Sequence, residues 1–265
     1  MTHTSDNWLL VEDRDWLLKV VLRRPDRLNA IVPEVLDRIY EETLRFENEA
    51  RYRVLLITAE GAYFSSGMDL SRPAPEFSGS TLEARRYYRH NGVQRLGDLF
   101  ESIEKPVVVA HQGPCLGGAL EFSLCCDFRL ASDCAAYGLP EIRIGVIPGS
   151  GGVSRLTRIA GPHWTRWLAM AGETIDAQRA LAIGLVHDVF PAEEFEERVY
   201  AFCEKLNGLP PEALGVSKLT IDLAADLERA QARNVERMAN SILFVGPELT
   251  ARRTNFLNRK GSKSG

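Results

Sequence analysis

Two short apolar-rich runs open the chain, roughly Trp8–Glu12 and Trp16–Leu22, and the turn signal Arg24-Pro25-Asp26 stops the second, so a hairpin is expected. Pro33 begins a segment in which Val35, Leu36, Ile39, Tyr40 and Leu44 recur at helical spacing, and Val54–Ala59 follows as a buried strand. A second helical stretch, Leu82 to Ile103, precedes another buried strand, Pro106 to Ala110. Strands alternating with helices of this length predict an α/β fold with largely parallel pairing, which places ligands beyond the carboxyl ends of its strands. After about Gly149 the pattern becomes helix after helix: near Ser150, through Trp164–Ala171, from Asp176, from Ala192, and a long one from Pro211 towards Asn240. No strand pattern returns strongly there. This predicts an α/β core over residues 1–200 and a helical region over 201–265, too short to stand as an independent domain.

With 45% hydrophobic and 26% charged residues the chain is an ordinary globular sequence rather than a disordered one. A net charge of −4 provides no bulk attraction to nucleic acid or anionic membrane, so neither partner is expected. The first twenty residues carry acids within short apolar runs, unlike a signal peptide, and no run approaches a membrane span. Five cysteines without a CxxC pair read as reduced thiols packed in a core, Cys115 and Cys134 among them, and a cytoplasmic location is expected. The five histidines form no i, i+4 pair or HExxH arrangement, so no metal site is expected, and no dinucleotide, phosphate-loop or nucleophile-elbow motif is present.

Two loops carry candidate chemistry. Phe64-Ser65-Ser66-Gly67-Met68-Asp69-Leu70 lies just beyond the first buried strand, where a glycine frees backbone N–H groups; alone, it reads first as a surface turn with Phe64 in the core. Gly113-Pro114-Cys115-Leu116-Gly117-Gly118 leaves the second buried strand and opens a helix at about Gly118, where unpaired N–H groups can receive an oxygen that becomes negative. Glu121 follows on the same helix face, in an otherwise apolar helix; it is paired structurally, protonated, or facing a cavity. Glu141, after Pro140, is a second lone acid in apolar company, and two such carboxylates make an acid and base pair if the fold brings them together. The glycine cluster from Pro148 to Gly152 reads as a turn into the next helix.

The segments RPDRLNA, FSSGMDL, GPCLGGALEF, CDFRLAS and YGLPEIRIGVIPGSGG stand in the order and spacing of the enoyl-CoA hydratase/isomerase (crotonase) superfamily, which this chain resembles from about Trp16 to FLNRKG. The resemblance implies a crotonase-like spiral of ββα units followed by a helical C-terminal trimerisation region, in homotrimers or hexamers. It implies an acyl-CoA thioester substrate with no separate cofactor, since CoA is part of the substrate. It places the thioester oxygen between the backbone N–H groups of Met68 and Gly118, with Glu121 activating water and Glu141 delivering a proton to the α-carbon. The leading reaction is hydration of a trans-2-enoyl-CoA. A double-bond isomerase, an acyl-CoA lyase or thioester hydrolase, and a non-catalytic CoA-ester or RNA-binding member stay open.

Substrate contacts implied by the resemblance are Arg27, Leu28, Ser66, Asp69, Leu70, Gly117 and Pro140, with Phe256, Arg259 and Lys260 in a C-terminal stretch that reaches CoA. A solvated basic tail is an equal reading of the last. The segment from Ser71 to Arg95 is expected to set acyl specificity through Arg85, Arg86 and Arg89, or to be a solvated helix face.

Overall fold

A computed structural model describes residues 8–72, 79–90 and 92–253, and it divides into two compact units, Met1–Asn207 and Gly208–Gly265. The first unit opens with the expected hairpin, β1 (Leu9–Arg14) and β2 (Leu17–Leu22), paired antiparallel. Helix α1 (Pro33–Asn48) starts on a proline whose missing N–H no helix needs there, and it buries Val35, Leu36, Ile39 and Phe46. Strands β3 (Val54–Ala59) and β4 (Val107–His111) then join in parallel beside β2. They lie inside a sheet ordered β1-β2-β3-β4-β6-β9, with β6 at Phe128–Ser132 and β9 at Asp188–Phe190. Central parallel strands are covered on both faces, which explains why VLLITA and VVVAH read as continuous apolar runs without alternation. A second sheet, ordered β5-β7-β8, is formed by Cys115–Leu116, Ala136–Gly138 and Thr174–Asp176.

The structure corrects several expectations. The stretch from Leu82 to Ile103 is two helices, α2 (Thr81–His90) and α3 (Val93–Ser102), because Gly92 at φ 71° cannot continue a helix. Strands do return after Gly149: β8 and β9 are three residues each, too short to show a period, and they extend the two sheets. Between them runs α6 (Ala177–Ala182), capped by the Asp176 carboxylate, which accepts from Arg179 N–H at 2.7 Å. Helix α7 (Phe195–Asn207) runs unbroken through position 200 and belongs to the first unit. In the second unit the helix expected from Pro211 is two, α8 (Pro211–Asp226) and α9 (Arg229–Val245). All five cysteines are free thiols, but Cys134 is exposed rather than packed in the core. Among the described residues no helix is long and apolar enough to cross a membrane.

Two connections matter most for function. The loop after β3 and the segment from β4 through β5 into α4 (Gly118–Ser123) leave the same end of the parallel sheet. Helix α5 (Gly152–Thr165) begins where the glycine cluster ends.

Candidate active site

Two single-residue parallel bridges lace the loops together, Ile31 to Met68 and Ser65 to Cys115. In the first, Ile31 N–H donates to the Gly67 carbonyl at 2.8 Å and Asp69 N–H donates to the Ile31 carbonyl at 2.8 Å. That parallel pattern uses the groups on either side of Met68 and turns its own N–H to the opposite edge. Among the described residues, Met68 N–H has no protein acceptor. Gly117 is the N-cap of α4 and no side chain caps the helix, so Gly118 N–H, first in the helix, likewise lacks an intrahelical partner.

Glycines bring these two donors close. A Cβ on Gly67, which sits at φ +92°, would stand 2.9 Å from the Leu116 carbonyl oxygen and 3.4 Å from Gly118 N. A Cβ on Gly118 would lie 3.1 Å from Met68 Cγ. Only chains without side chains at these points can pass so near one another.

The two glutamates lie against different glycines, Glu141 at Gly117 and Glu121 at Gly152, near enough for the charge of one to act on the other. Gly117 N–H donates to the Gly138 carbonyl at 2.9 Å across the β5–β7 pairing, and β7 runs directly into the 3-10 turn Pro140–Ile144. This register carries Glu141 over Gly117, so that a Cβ on Gly117 would be 2.9 Å from Glu141 Oε1. Glu141 Oε2 is buried without a hydrogen-bond partner, and burial raises the pKa of its carboxyl. Glu121, three residues into α4, is 4% exposed. Its Oε2 accepts from Ser150 N–H at 2.7 Å and Gly152 N–H at 3.0 Å. Burial pushes its pKa up to about 7, and the neighbouring Glu141 charge adds to that rise, against the two backbone N–H groups and Arg155. The glycine cluster is therefore more than a turn, since it supplies the donors that hold one carboxylate.

A protein-family model for enoyl-CoA hydratase/isomerase matches residues 12–260, nearly the whole chain. The chain belongs to the enoyl-CoA hydratase/isomerase family. It is 29% identical to a crotonyl-CoA hydratase of Syntrophomonas wolfei, covering 95% of each sequence. It is 30% identical to a 2,3-dehydroadipyl-CoA hydratase of Escherichia coli, covering 95% of this chain and 96% of that one. A crystal structure of an enoyl-CoA hydratase from Bacillus anthracis superposes with a TM-score of 0.87 at 27% identity, covering 95% of this chain and 96% of that one.

Of the other residues singled out in this family member, Arg27 and Leu28 end an exposed turn, and Ser66 N–H donates to the Leu28 carbonyl at 2.9 Å, which joins that turn to the loop after β3. Leu70 is 69% exposed, and Met68, two residues before it, is also exposed. Pro140 fixes the first position of the turn that carries Glu141. The Asp69 carboxylate is already engaged: Oδ2 accepts from Arg24 Nη2 at 3.1 Å and Oδ1 from Ser71 Oγ at 2.6 Å. It braces the loop, and the Ser71 hydroxyl bond in particular keeps its pKa low. Arg85, Arg86 and Arg89 are exposed. Phe256, Arg259 and Lys260 lie outside the described residues.

Sequence reasoning passed over Arg24, whose guanidinium also donates to the Ala30 carbonyl at 2.7 Å, because nothing local marks an arginine whose partner is 45 residues away. Asn29 has a comparable bracing part. Its Oδ1 accepts from Arg24 N–H at 2.7 Å, and its Nδ2 donates to the Glu60 and Tyr63 carbonyls at 2.7 and 2.8 Å. It is 3% exposed and holds φ 51°. Asn29→Ala removes three part-buried hydrogen bonds, though the Tyr63 carbonyl keeps Gln112 Nε2 at 2.9 Å, so urea denaturation is expected to show a loss of about 2 kcal/mol.

Proposed function

We propose that this protein hydrates a trans-2-enoyl-CoA to a 3-hydroxyacyl-CoA. The observation that carries the reading is the placement of two desolvated carboxyl groups that act on one another, Glu141 against Gly117 beside the Gly118 N–H and Glu121 on the helix that Gly118 opens. The thioester oxygen accepts from those two N–H groups, which polarises the conjugated system and makes the β-carbon electrophilic. Water attacks the β-carbon while Glu121 takes its proton. Negative charge collects on the thioester oxygen, and Glu141 protonates the α-carbon. Transfer of the proton from Glu121 to Glu141 through solvent restores the starting state.

The environments support this division of labour. Glu121 receives two backbone hydrogen bonds, which favour its ionised form, and its pKa of about 7 suits a base that must accept and return a proton near neutrality. Glu141 has burial and an unpartnered oxygen, which favour the neutral acid. Consequently kcat/KM is expected to rise with pH through about 7 as Glu121 ionises. The hydratases among the relatives and the tethered CoA of their substrates support an acyl-CoA substrate here, with no separate cofactor. Exposed apolar side chains on α9, including Met238, Ile242 and Phe244, support burial against further copies in a trimer or hexamer.

Reaction of crotonyl-CoA in ¹⁸O-labelled water separates the chemistries by mass. Label on the hydroxyl of a 3-hydroxybutyryl-CoA is the expected result. Label in a free carboxylate with release of the CoA thiol indicates a thioester hydrolase and overturns the proposal. With Glu141→Gln, an amide that cannot protonate carbon, a fall in kcat of about 10²–10⁴ is expected.

A further inference from the structure

We propose that Arg155 is a positioning residue for Glu121: held by α3, it fixes the loop whose N–H groups hold the Glu121 carboxylate. This rests on the assignment of Glu121 as the base.

The arrangement is a relay of short contacts. Arg155, one turn into α5, faces the Glu101 carboxylate with both prongs, Nε to Oε1 and Nη2 to Oε2 each at 2.6 Å, and Asp98 lies 3.6 Å from Nη2. Both acids belong to α3, so the guanidinium is anchored from outside its own helix. Its remaining terminal nitrogen, Nη1, donates to the Ser150 carbonyl at 3.2 Å. One residue earlier, Gln94 Nε2, also from α3, donates to the Gly149 carbonyl at 2.8 Å. Two consecutive carbonyls of the loop are thus gripped from one side, and the N–H groups of Ser150 and Gly152 point from the loop to Glu121 Oε2.

A glycine makes room for the grip. A Cβ on Gly151 would sit 1.7 Å from Arg155 Nη1, whereas one on Gly97 would meet Cys125 Sγ at 2.6 Å and stand in ordinary contact with Nη2. A fork-to-fork arginine–carboxylate pair fixes direction as well as charge, which lysine cannot reproduce. The groups facing Glu121 are Glu141 from the 3-10 turn, Arg155 from α5, the two backbone N–H groups, and Cys125 of the adjoining helical turn, a thiol that burial pushes up to about 12 and keeps neutral. Asp98 and Glu101 stand behind Arg155. Among these side chains Arg155 alone carries positive charge, so removing it disfavours the Glu121 carboxylate both directly and by loosening its donors.

The test compares Arg155→Gln, Arg155→Lys and Glu101→Gln in crotonyl-CoA hydration across pH, together with a ¹³C NMR titration of the Glu121 carboxyl carbon, assigned with Glu121→Gln. For Arg155→Gln a fall in kcat of about 10²-fold with KM nearly unchanged is expected. The Glu121 titration and the acid limb of kcat/KM both move up by about one pH unit. Lysine recovers the pH limb more fully than it recovers kcat, and Glu101→Gln, which leaves the charge of Arg155 in place, lowers kcat with a smaller pH shift. A variant with reduced thermal stability but an unmoved titration and unmoved kcat overturns the proposal. Should Arg155→Gln fail to fold, Glu101→Gln decides by the same criteria. If wild-type protein hydrates nothing while the NMR titration still shifts, the hydratase reading fails and the positioning of Glu121 stands.

Discussion

Glu121→Gln is expected to lower kcat for enoyl-CoA hydration by about 10²–10⁴ while leaving the fold and substrate binding intact. The amide matches the carboxylate in size, and its oxygen can still accept from Ser150 N–H and Gly152 N–H at the position now held by Oε2. Its NH₂ group then faces the water that the carboxylate would deprotonate, and an amide cannot take that proton. The same substitution has a signature in stability. Glu121 holds its proton more tightly folded than unfolded, since its pKa is raised from 4.5 to about 7. Its favourable contribution is therefore complete below pH 4.5 and is lost as pH rises through about 7. Glutamine removes the burden of the buried anion, so the variant gains stability relative to wild type at pH 8 and not at pH 4. Thermal unfolding at the two pH values measures this directly.

The second large effect is expected from Gly67→Ala. At φ +92° alanine is strained, and its Cβ would meet the Leu116 carbonyl oxygen at 2.9 Å, a backbone atom that cannot swing aside. Relief requires the loop after β3 to separate from the β5–α4 turn, which moves Met68 N–H away from Gly118 N–H. Losing one aligned oxyanion donor costs about 10²–10³ in rate. The account predicts such a fall in kcat for Gly67→Ala, with both carboxyl groups and their pH dependence retained. A change confined to stability would mean that the two N–H groups do not share an oxygen.

Much of this site was legible along the chain because its chemistry sits in local exceptions to local pattern. Glu121 and Glu141 stood out as single acids in apolar runs, and Gly67, Gly117 and Gly118 marked loops whose free N–H groups can meet a ligand. What composition and spacing do not contain is the pairing of β5 with β7, which sets Glu141 upon Gly117, 24 positions before it in the chain. The spiral fold came from the family resemblance, since alternating strands and helices predict parallel units without their path. The short strands β8 and β9 were missed because three residues carry no usable period, and they exist through partners already in place. Arg24 and Arg155 look like ordinary surface arginines in the sequence. Their roles depend on Asp69 and Glu101, which are 45 and 54 positions away.

The central claim, that two carboxyl groups and two backbone N–H groups act together on an enoyl thioester, is tested most directly by following the conjugated enoyl-thioester absorbance of crotonyl-CoA. Wild-type protein is to be compared with Glu121→Gln and Glu141→Gln. The account predicts rapid loss of absorbance with wild type and a drastically slowed loss with each variant. Loss of absorbance at wild-type rates in either variant, or none with wild type despite binding of the thioester, would contradict it.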